Sequence, residues 1–337
     1  MSGWREVDVS RSETPVLVYI LAASHSGSTL AAMMLNAHPD IYTAGELKAN
    51  NLGDTEAYRC SCQALIGDCP FWQAVSTEMR SRGLQYDVRH AGTSLRDIPG
   101  AWPRRLLRPL HRGRLAESLR DGLLWLDPRW RQYYAVWQTR NLELIRAIGR
   151  ITGAKYVADS SKIGIRLKYL CRLEGLQVKV LRVVRDGRAV ALTYMDPGRF
   201  ADARDPGLRG GGSGAEHSPH ELMGMERAAA EWRRSNEEAE AILATISADD
   251  QLRISYEDLC LDTESTMTRV HDYLGVVDDK SYLAFRDAPH HIVGNGMRLD
   301  SSSEVKLDDR WRRELRDEDL AVFDRVAGAF NARYGYH

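Results

Sequence analysis

Residues 15–37, PVLVYILAASHSGSTLAAMMLNA, limit the possible folds more than any other part of the chain. Residues 16–21 are apolar and rich in β-branched side chains, which is typical of a strand covered on both faces. Residues 24–29 are mostly small and hydroxylated, and residues 31–35 are strong helix formers. A strand, a tight turn and a helix in this order aim several backbone N–H groups at one point. The sequence therefore predicts an anion-binding loop at residues 24–29.

The residue after Gly27 indicates which anion this loop suits. The turn is similar to a nucleotide-binding P-loop, but Ser28 stands where an ATP-binding loop carries Lys. Without that Lys, the loop can hold a phosphate or sulfate group but is poorly suited to the β- and γ-phosphates of ATP.

The bulk properties of the chain exclude several classes of protein. It has 337 residues, 43% of them apolar, and a formal net charge of −1. This length allows one large α/β core or two modest ones, and the near-neutral charge gives no case for a nucleic-acid partner. No apolar run reaches the ~20 residues that span a bilayer, and the N-terminal segment is polar. We expect a soluble, cytoplasmic protein without a transmembrane segment.

The five cysteines leave three interpretations open. An odd number argues against a disulfide scaffold. Cys60, Cys62 and Cys69 cluster as C-S-C-Q-A-L-I-G-D-C-P, apart from Cys171 and Cys260. The cluster is compatible with zinc and a fourth ligand from elsewhere, with a disulfide plus a free thiol, or with small buried hydrophobic residues. Its C-x-C spacing is tighter than that of most zinc sites, and no metal is expected at the functional site.

Strand-like and helix-like segments alternate along the rest of the chain. The strand-like segments are residues 156–158, 178–184 and 252–255; the helix-like ones are residues 140–150, 163–174, 189–195 and 263–274. Residues 38–46 are predicted to form a loop. Such alternation predicts an α/β fold with a doubly wound sheet. The expected architecture is a three-layer sandwich with a central, mostly parallel sheet, a P-loop-like nucleotide-binding core and a helical insertion.

Three polar segments should converge on one site. Residues 24–29, 159–162 and 185–188 each follow a predicted strand, and ligands of such sheets bind outside the carboxyl ends of the strands. Arg185 has the planar guanidinium that suits bidentate phosphate recognition, or it simply pairs with Asp186. Thr193 lies eight residues further on and could place a hydroxyl near the same anion.

Two other side chains are candidates for the chemistry. Lys162 could neutralise charge on a leaving phosphate, or be a surface lysine at a helix start. Glu46, in a Gly-Glu-Leu turn, could act as a general base, or be a surface glutamate.

Together these pieces resemble the sulfotransferases that use 3′-phosphoadenosine-5′-phosphosulfate (PAPS). The second motif of that family is a strand followed by V-R-D-x-R-A and a Ser eight residues after the first Arg. Here residues 184–189 read V-R-D-G-R-A, with Thr193 in place of the Ser. The resemblance implies that Arg185 and Thr193 bind the 3′-phosphate. It also implies that the first loop holds the 5′-phosphosulfate through six residues, Ser24, His25, Ser26, Gly27, Ser28 and Thr29.

Later segments extend the resemblance. Residues 255–259, S-Y-E-D-L, look like the family segment whose Tyr, here Tyr256, approaches the nucleotide. Residues 296–298 and Trp311 resemble the late segment in which an Arg, here Arg298, meets the 3′-phosphate. That segment has no clean register, so Ser301, Lys306 and Arg310 are further candidate contacts.

The local motifs are most similar to those of the tyrosylprotein sulfotransferases. Those enzymes carry R-S-G-T-T-L, A-H-P, a G-E turn and a Lys before V-R-D-G-R; this chain has H-S-G-S-T-L, A-H-P, G-E and Lys162. The resemblance implies that Glu46 is the catalytic base and Lys162 stabilises the transition state. His25 replaces the family's usual Arg or Lys, so it is either a weaker anion clamp or a second proton-transfer group.

The implied reaction is direct in-line transfer of a sulfuryl group from PAPS to an acceptor hydroxyl, leaving adenosine 3′,5′-bisphosphate (PAP). No metal is required in this scheme, because fixed donors replace the Mg²⁺ of phosphoryl transfer. Two rivals remain: a P-loop small-molecule kinase, disfavoured by the missing Lys, and a non-catalytic nucleotide-binding protein, with His25 as the mark of lost activity.

The acceptor side is the least readable part of the chain. We expect a single domain over residues 1–337, with a helical insertion at 74–150 that shapes the acceptor site and a flexible Gly-rich loop at 206–219. The Arg-dense residues 104–114 are a solvated helix face or a substrate contact. A carbohydrate, lipid or small metabolite is the expected acceptor, and a homodimer is compatible with the sequence.

Overall fold

Five parallel strands form the centre of the computed structural model. They are β1 (Val16–Ala22), β2 (Ile41–Thr43), β3 (Tyr156–Lys162), β4 (Val178–Val184) and β5 (Gln251–Ser255), in the order β2-β3-β1-β4-β5. The structure describes residues 14–48, 52, 55–108, 114–200, 222–300 and 302–337. The predicted Gly-rich loop, 206–219, lies outside the described residues.

Helices connect and cover these strands. They are α1 (Ser28–Asn36), α2 (Pro70–Ser81), α3 (Ala101–Leu106), α4 (Arg114–Leu126), α5 (Pro128–Thr152), α6 (Gly164–Leu170), α7 (Gly187–Met195), α8 (Pro197–Phe200), α9 (Met225–Leu243), α10 (Tyr256–Leu261), α11 (Thr263–Leu274), α12 (Trp311–Glu314), α13 (Asp317–Phe323) and α14 (Ala329–Ala332). A π-helical turn, Asp324–Gly328, joins α13 to α14. No described helix is both long enough and apolar enough to cross a membrane.

The central strand shows why the fold has three layers. Successive side chains of a strand point to opposite faces. Leu17, Tyr19 and Leu21 of β1 lie in one core with α2, α5 and α6, whereas Val18 and Ile20 lie in a second core with α1 and α11. The predicted three-layer α/β sandwich is therefore confirmed, and its sheet is parallel throughout.

The strand order places the functional end of the sheet. β1 is central; the chain adds β2 and β3 on one side of it and then β4 and β5 on the other. The winding therefore changes direction beside β1, and a crevice opens there at the carboxyl ends of the strands. The loop after β1 lies between the ends of β3 and β4.

Two expectations about individual elements are wrong. Residues 38–46 contain the three-residue edge strand β2, which is too short to show an alternating pattern. β3 does not stop at Ala158 but runs to Lys162, because its polar end, D-S-S-K, is buried through hydrogen bonds that replace apolar packing. The sequence analysis made no prediction for α9, whose eight buried residues include three alanines, Asn236 and Glu238.

The helical segment 74–150 is partly a layer of the sandwich. Leu144, Ile145 and Ile148 of α5 are buried in the core that includes β1 and β3. The C-terminal half of the predicted insertion therefore supports the sheet, and the role of the whole segment in shaping an acceptor site stays a prediction.

A buried ion pair fastens the end of β3. Asp159 and Arg166 are both almost fully buried, and the Arg166 Nε donates to Asp159 Oδ2 over 3.1 Å. Arg166 also donates to the Thr93 carbonyl at 2.7 Å and to Asn141 Oδ1 at 2.8 Å. The backbone N–H of Leu47 donates to Asp159 Oδ1 at 3.1 Å. These bonds join β3, α5, α6 and the loop after β2.

We expect Arg166→Met to destabilise the fold strongly, because it leaves the Asp159 carboxylate buried and unpaired. Breaking a buried pair from one side costs about 3–5 kcal/mol, whereas an exposed pair contributes about 1 kcal/mol or less. Lys280→Met is the matched control, since Lys280 and Glu264 form an exposed pair. Urea unfolding monitored by circular dichroism measures both losses, and equal losses would contradict the role given to Arg166.

Candidate functional site

The loop after β1 and the first turn of α1 have a backbone conformation that suits an anion. We call residues 24–30 the anion cradle. His25 and Gly27 both have left-handed backbones, with φ of 63° and 86°. The first helical bond of α1 runs from the Ala31 N–H to the Gly27 carbonyl at 3.0 Å. The N–H groups of residues 28–30 therefore have no acceptor within the helix, and Gly27 has no side chain to cap them. Three donors and the positive end of the helix dipole face the loop.

Ser26 supplies a further donor in this loop. Its side chain is fully buried, and its Oγ has no hydrogen-bond partner among the described residues. Buried hydroxyls are rarely left unpaired in native proteins, because losing water without a partner costs free energy. The unsatisfied hydroxyl beside a helix N-terminus fits a site that holds an anion.

Arg185 lies against the same loop. It follows β4, and its Nη1 donates to the His25 carbonyl at 2.8 Å. Its Nη2 donates to the Asp308 carbonyl at 2.8 Å and pairs with the Asp308 carboxylate at 3.1 Å. The Nε of Arg185 is buried and has no partner among the described residues. The expected alternative, a pair with Asp186, is not formed, because Asp186 caps α7 and binds Arg188 instead.

Tyr256 packs between Gly27 and Arg185. The Arg185 guanidinium carbon lies 4.3 Å from the centre of the Tyr256 ring. A Cβ on Gly27 would lie only 2.4 Å from Tyr256 Cδ2, so the ring occupies the space that a side chain would need. The first residue of α10 thus fixes both the loop after β1 and the arginine after β4.

Asp308 joins Arg185 to Arg310. The Arg310 Nε and Nη2 donate to the two Asp308 carboxylate oxygens at 2.7 and 2.8 Å. Burial alone would raise the pKa of Asp308, but the hydrogen bond from Arg310 and the charge of Arg185 hold that pKa well below its usual range. The ionised Asp308 carboxylate therefore links Arg310, in the late segment, to Arg185, at the end of β4.

A second cluster lies at the ends of β2 and β3. The Glu46 carboxylate bridges two ammonium groups, with Oε1 2.6 Å from Lys162 Nζ and Oε2 3.0 Å from Lys48 Nζ. Burial alone would raise the pKa of Glu46, but the charges of Lys162 and Lys48 outweigh it and lower the pKa to about 2. Glu46 is therefore a carboxylate throughout the neutral range.

The backbone around Glu46 is held on both sides. The Glu46 N–H donates to the Val293 carbonyl at 3.0 Å, and the Val293 N–H donates to the Ala44 carbonyl at 3.0 Å. On the other side, the Ser160 N–H donates to the Gly45 carbonyl at 2.9 Å. Lys162 itself has a left-handed backbone, with φ of 69°, which is uncommon for a residue with a side chain. Strained residues of this kind cluster at functional sites.

Arg298 does not present its guanidinium to the site surface. It is fully buried, and it donates to the carbonyls of Ile292, Gly294 and Asn295 at 3.1, 2.7 and 3.0 Å. It therefore anchors the segment that pairs with Glu46 rather than lying open to a phosphate in this structure.

The remaining predicted residues lie at different depths. Thr193 is buried, and its hydroxyl donates to the Ala189 carbonyl one turn earlier. The His25 ring is half-buried and packs edge-on against Tyr194, with ring centres 5.6 Å apart. Ser28 and Thr29 are buried in the first turn of α1, Ser24 is exposed, and the Lys306 side chain pairs with Glu304 at 2.9 Å. Ser301 lies outside the described residues.

Two residues of the site were missed by the sequence reading. Lys48 follows Glu46 by two positions, and the E-x-K spacing was an available but weak signal. Asp308 had no local signal, because its partner Arg185 lies more than a hundred positions earlier in the chain. Both bind a residue that the sequence did predict.

A small cavity of about 20 Å³ adjoins the Glu46 cluster. Lys48, Ile163 and Arg166 line it on the sheet side, and the other lining residues are Ser94, Leu95, Arg96, Leu107 and Ile165. It therefore lies between the Glu46 cluster and residues 94–107.

Comparison with protein-family models supports the reading of the second motif. The model of the sulfotransferase family matches residues 179–280, from β4 to beyond α11. This segment contains Arg185, Thr193 and Tyr256. The resemblance to the sulfotransferases is confirmed over this segment, whereas the closer likeness to tyrosylprotein sulfotransferases stays a prediction. No curated protein sequence matches the chain.

One solved sulfotransferase shares the fold, and two further sulfotransferase domains are similar to the chain at slightly lower TM-scores. Sulfotransferase STF9 from Mycobacterium avium is 10% identical over 96% of this chain and 78% of its own, with a TM-score of 0.50. The sulfotransferase domain of the curacin biosynthetic pathway is 18% identical over 97% and 99%, with a TM-score of 0.49. The sulfotransferase domain of the Synechococcus PCC 7002 olefin synthase is 19% identical over 97% and 98%, with a TM-score of 0.48. At 10% identity the likeness to STF9 concerns the fold alone.

We expect Gly27→Ala to destabilise the protein more than Gly83→Ala. Both glycines have positive φ, which costs an L-residue about 1–2 kcal/mol. A Cβ on Gly83 meets nothing within 4 Å, whereas one on Gly27 meets the Tyr256 ring and adds about 1–3 kcal/mol of overpacking. Chemical denaturation measures both losses. Adding Tyr256→Ala should remove the excess, and an unchanged excess in the double variant would contradict the contact.

Proposed function

We propose that this protein is a sulfotransferase that moves a sulfuryl group from PAPS to an acceptor hydroxyl. The family match and the shared fold support sulfuryl transfer in general. The observation that carries the donor assignment is the pair of buried, unpartnered donors, Ser26 Oγ and Arg185 Nε, beside the N-terminus of α1. Two unsatisfied donors at a helix start suit a ligand with anionic groups, as PAPS has.

The sulfuryl donor would be held at one end by the anion cradle and at the other end by Arg185. The N–H groups of residues 28–30 and the Ser26 hydroxyl would face its phosphosulfate end. Arg185, with Tyr256 behind it and Arg310 nearby, would face its 3′-phosphate. Thr193 would join them only if its hydroxyl turned away from the Ala189 carbonyl, and Arg298 acts through the segment that it anchors.

The residues at the ends of β2 and β3 would move the proton. Bound PAPS supplies the sulfuryl group, with PAP as the leaving group. Glu46 would accept the proton of the acceptor hydroxyl as the new S–O bond forms and the bridging S–O bond breaks. Lys162 already contacts the Glu46 carboxylate, so its ammonium can also stabilise charge on the transferring group. Lys48 holds the second carboxylate oxygen and orients the base, while His25 would contact the phosphosulfate or move a second proton.

The donor set suits PAPS better than Mg²⁺-ATP. Ser28 stands where an ATP-binding loop has its Lys. Fixed N–H groups, Lys162 and Arg185 supply the positive charge that Mg²⁺ supplies in phosphoryl transfer. We therefore propose transfer without a catalytic metal.

The acceptor is proposed to approach Glu46 from the side of the cavity beside Lys48, which by itself has room for about one water molecule. Four of the cavity's eight lining side chains, Leu95, Leu107, Ile163 and Ile165, are aliphatic. The cavity is too small to enclose an acceptor, so its lining does not distinguish a carbohydrate from a lipid or a small metabolite. Because Lys48 belongs both to the cavity and to the Glu46 cluster, a hydroxyl bound there would lie near Glu46.

We expect metal-independent binding of PAP that depends on Arg185. Isothermal titration calorimetry of the chain with PAP, and separately with ATP plus Mg²⁺, measures both affinities. Arg185→Ala should weaken PAP binding by about 1.5–3 kcal/mol, since hydrogen bonds to charged groups contribute on that scale. Arg199→Ala, an exposed arginine paired with Glu314, is the matched control. Binding of Mg²⁺-ATP alone would reject the donor assignment and favour a kinase.

We expect Glu46→Gln to lower kcat by about a hundredfold or more, because a positioned general base contributes on the order of 10²–10⁴. PAP affinity should stay unchanged, as Glu46 lies outside the anion cradle. Since its pKa is about 2, acidification should not remove the base until the pH falls towards that value. Sulfuryl transfer from labelled PAPS in an acceptor screen measures kcat, with Glu264→Gln as the control. Full activity of Glu46→Gln would exclude Glu46 as the base, and PAP binding without transfer would favour a nucleotide-binding protein.

A further inference from the structure

Four potential metal ligands converge at a place separate from the anion cradle. They are the thiols of Cys60, Cys62 and Cys69 and the imidazole of His291, and their ligand atoms all lie within 4.8 Å of one another. The three cysteines are close together in the sequence, but His291 lies more than two hundred positions further along the chain. It is the fourth ligand that the cysteine spacing alone could not identify.

The distances match the edges of a tetrahedron around zinc. Zinc bonds of about 2.3 Å to sulfur and about 2.1 Å to nitrogen place sulfurs about 3.8 Å apart and nitrogen about 3.6 Å from sulfur. The Cys62 and Cys69 sulfurs are 3.7 Å apart. The His291 Nδ1 lies 3.2 Å from the Cys69 sulfur and 3.9 Å from the Cys60 sulfur. One ring nitrogen therefore faces the sulfurs from the position of the fourth corner.

Local structure holds each ligand in place. Cys60 and Cys62 lie in a tight turn, in which the Gln63 N–H donates to the Cys60 carbonyl at 2.8 Å and Gln63 has a φ of 69°. Cys69 directly precedes Pro70, the first residue of α2.

The fourth ligand is also held in place. The His291 ring stacks on Phe71, with ring centres 5.1 Å apart and ring planes 10° apart.

The two other interpretations of the cysteines explain less of this arrangement. A disulfide between Cys62 and Cys69 would give the third thiol and the histidine no reason to meet at the same point. Small buried hydrophobic residues would account for Cys60 and Cys69, which are fully buried, but not for Cys62, which is exposed. A metal site accounts for all four side chains.

We propose that Cys60, Cys62, Cys69 and His291 bind one structural Zn²⁺ ion. Three thiolates and one imidazole complete a tetrahedral shell, and a site with four protein ligands leaves no position for a substrate. Binding releases the thiol protons as the thiolates form. The ion is therefore a cross-link, and the proposal does not rest on the proposed sulfuryl transfer.

The site would fasten the segment that supports Glu46. Two residues after His291, Val293 exchanges backbone hydrogen bonds with Ala44 and Glu46. The Ile292 N–H donates to Ser61 Oγ at 2.7 Å, inside the C-x-C turn. Zinc at His291 would thus hold the turn, the start of α2 and the strand-like segment behind Glu46 as one unit.

Metal content of the whole chain tests the proposal. We expect protein purified from zinc-supplemented cells, under reducing conditions and without chelator, to carry about one zinc per chain by mass spectrometry of the metal. Cys62→Ser changes an exposed ligand and should fold, yet lower zinc affinity about tenfold or more. Cys171→Ser is the matched control, since that cysteine is also exposed and lies outside the cluster. Competition with a chelator measures the two zinc affinities, and equal affinities of Cys62→Ser and the wild type would overturn the proposal.

Cobalt substitution and a rescue variant test the ligand set independently of activity. Co²⁺ in the wild type should give thiolate charge-transfer bands and the intense visible bands of a tetrahedral site. His291→Ala should lose them and melt at a lower temperature, whereas His291→Cys should keep them, because four cysteines also form a zinc site. A wild-type chain without bound zinc, or one in which Cys62 and Cys69 are found joined by a disulfide, would reject the site while leaving PAP binding untouched.

Discussion

The buried contact between Asp159 and Arg166 is the interaction on which the rest of the structure depends. A carboxylate and a guanidinium removed from water must satisfy each other and nearly all their hydrogen bonds, so every group that contacts them is held to a narrow geometry. Asp159 binds the Leu47 N–H with one oxygen and Arg166 with the other. The loop that carries Glu46 and the strand end that carries Lys162 are therefore set by one carboxylate.

The parallel sheet separates two tasks along its carboxyl edge. The ends of β1, β4 and β5 carry the anion cradle, with Arg185 and Tyr256. The ends of β2 and β3 carry Glu46 and Lys162. Because β1 lies between β3 and β4, its loop adjoins both groups. A reacting centre held by that loop would have fixed donors on one side and a proton acceptor on the other, which is the arrangement that group transfer requires.

Much of this edge could be predicted from the sequence, for reasons that differ between residues. The loop at residues 24–29 and Arg185 follow apolar strands, and a strand that ends in a polar residue is visible locally. The predicted strand β3 ends too early because the polar end of the observed strand is stabilised by Arg166, which lies on another element. The local sequence pattern contains no information about such a partner. Arg298 shows the same limit in reverse: its type and position suggested a phosphate contact, but backbone carbonyls contact it in the fold. His291 and Asp308 likewise gain their meaning only from residues far away in the chain.

Arg185 is immobilised before any ligand arrives. Its two terminal nitrogens are bonded to carbonyl groups and a carboxylate, and its face packs on Tyr256. A free arginine loses about 1.5–2 kcal/mol of rotamer entropy when it is fixed, and here that loss has already occurred during folding. Asp308 offsets only part of the positive charge of Arg185 and Arg310, so one net positive charge remains in this part of the site. Recognition would therefore combine that charge with donors that are already fixed, and less rotamer entropy would be lost on binding than with exposed, mobile lysines.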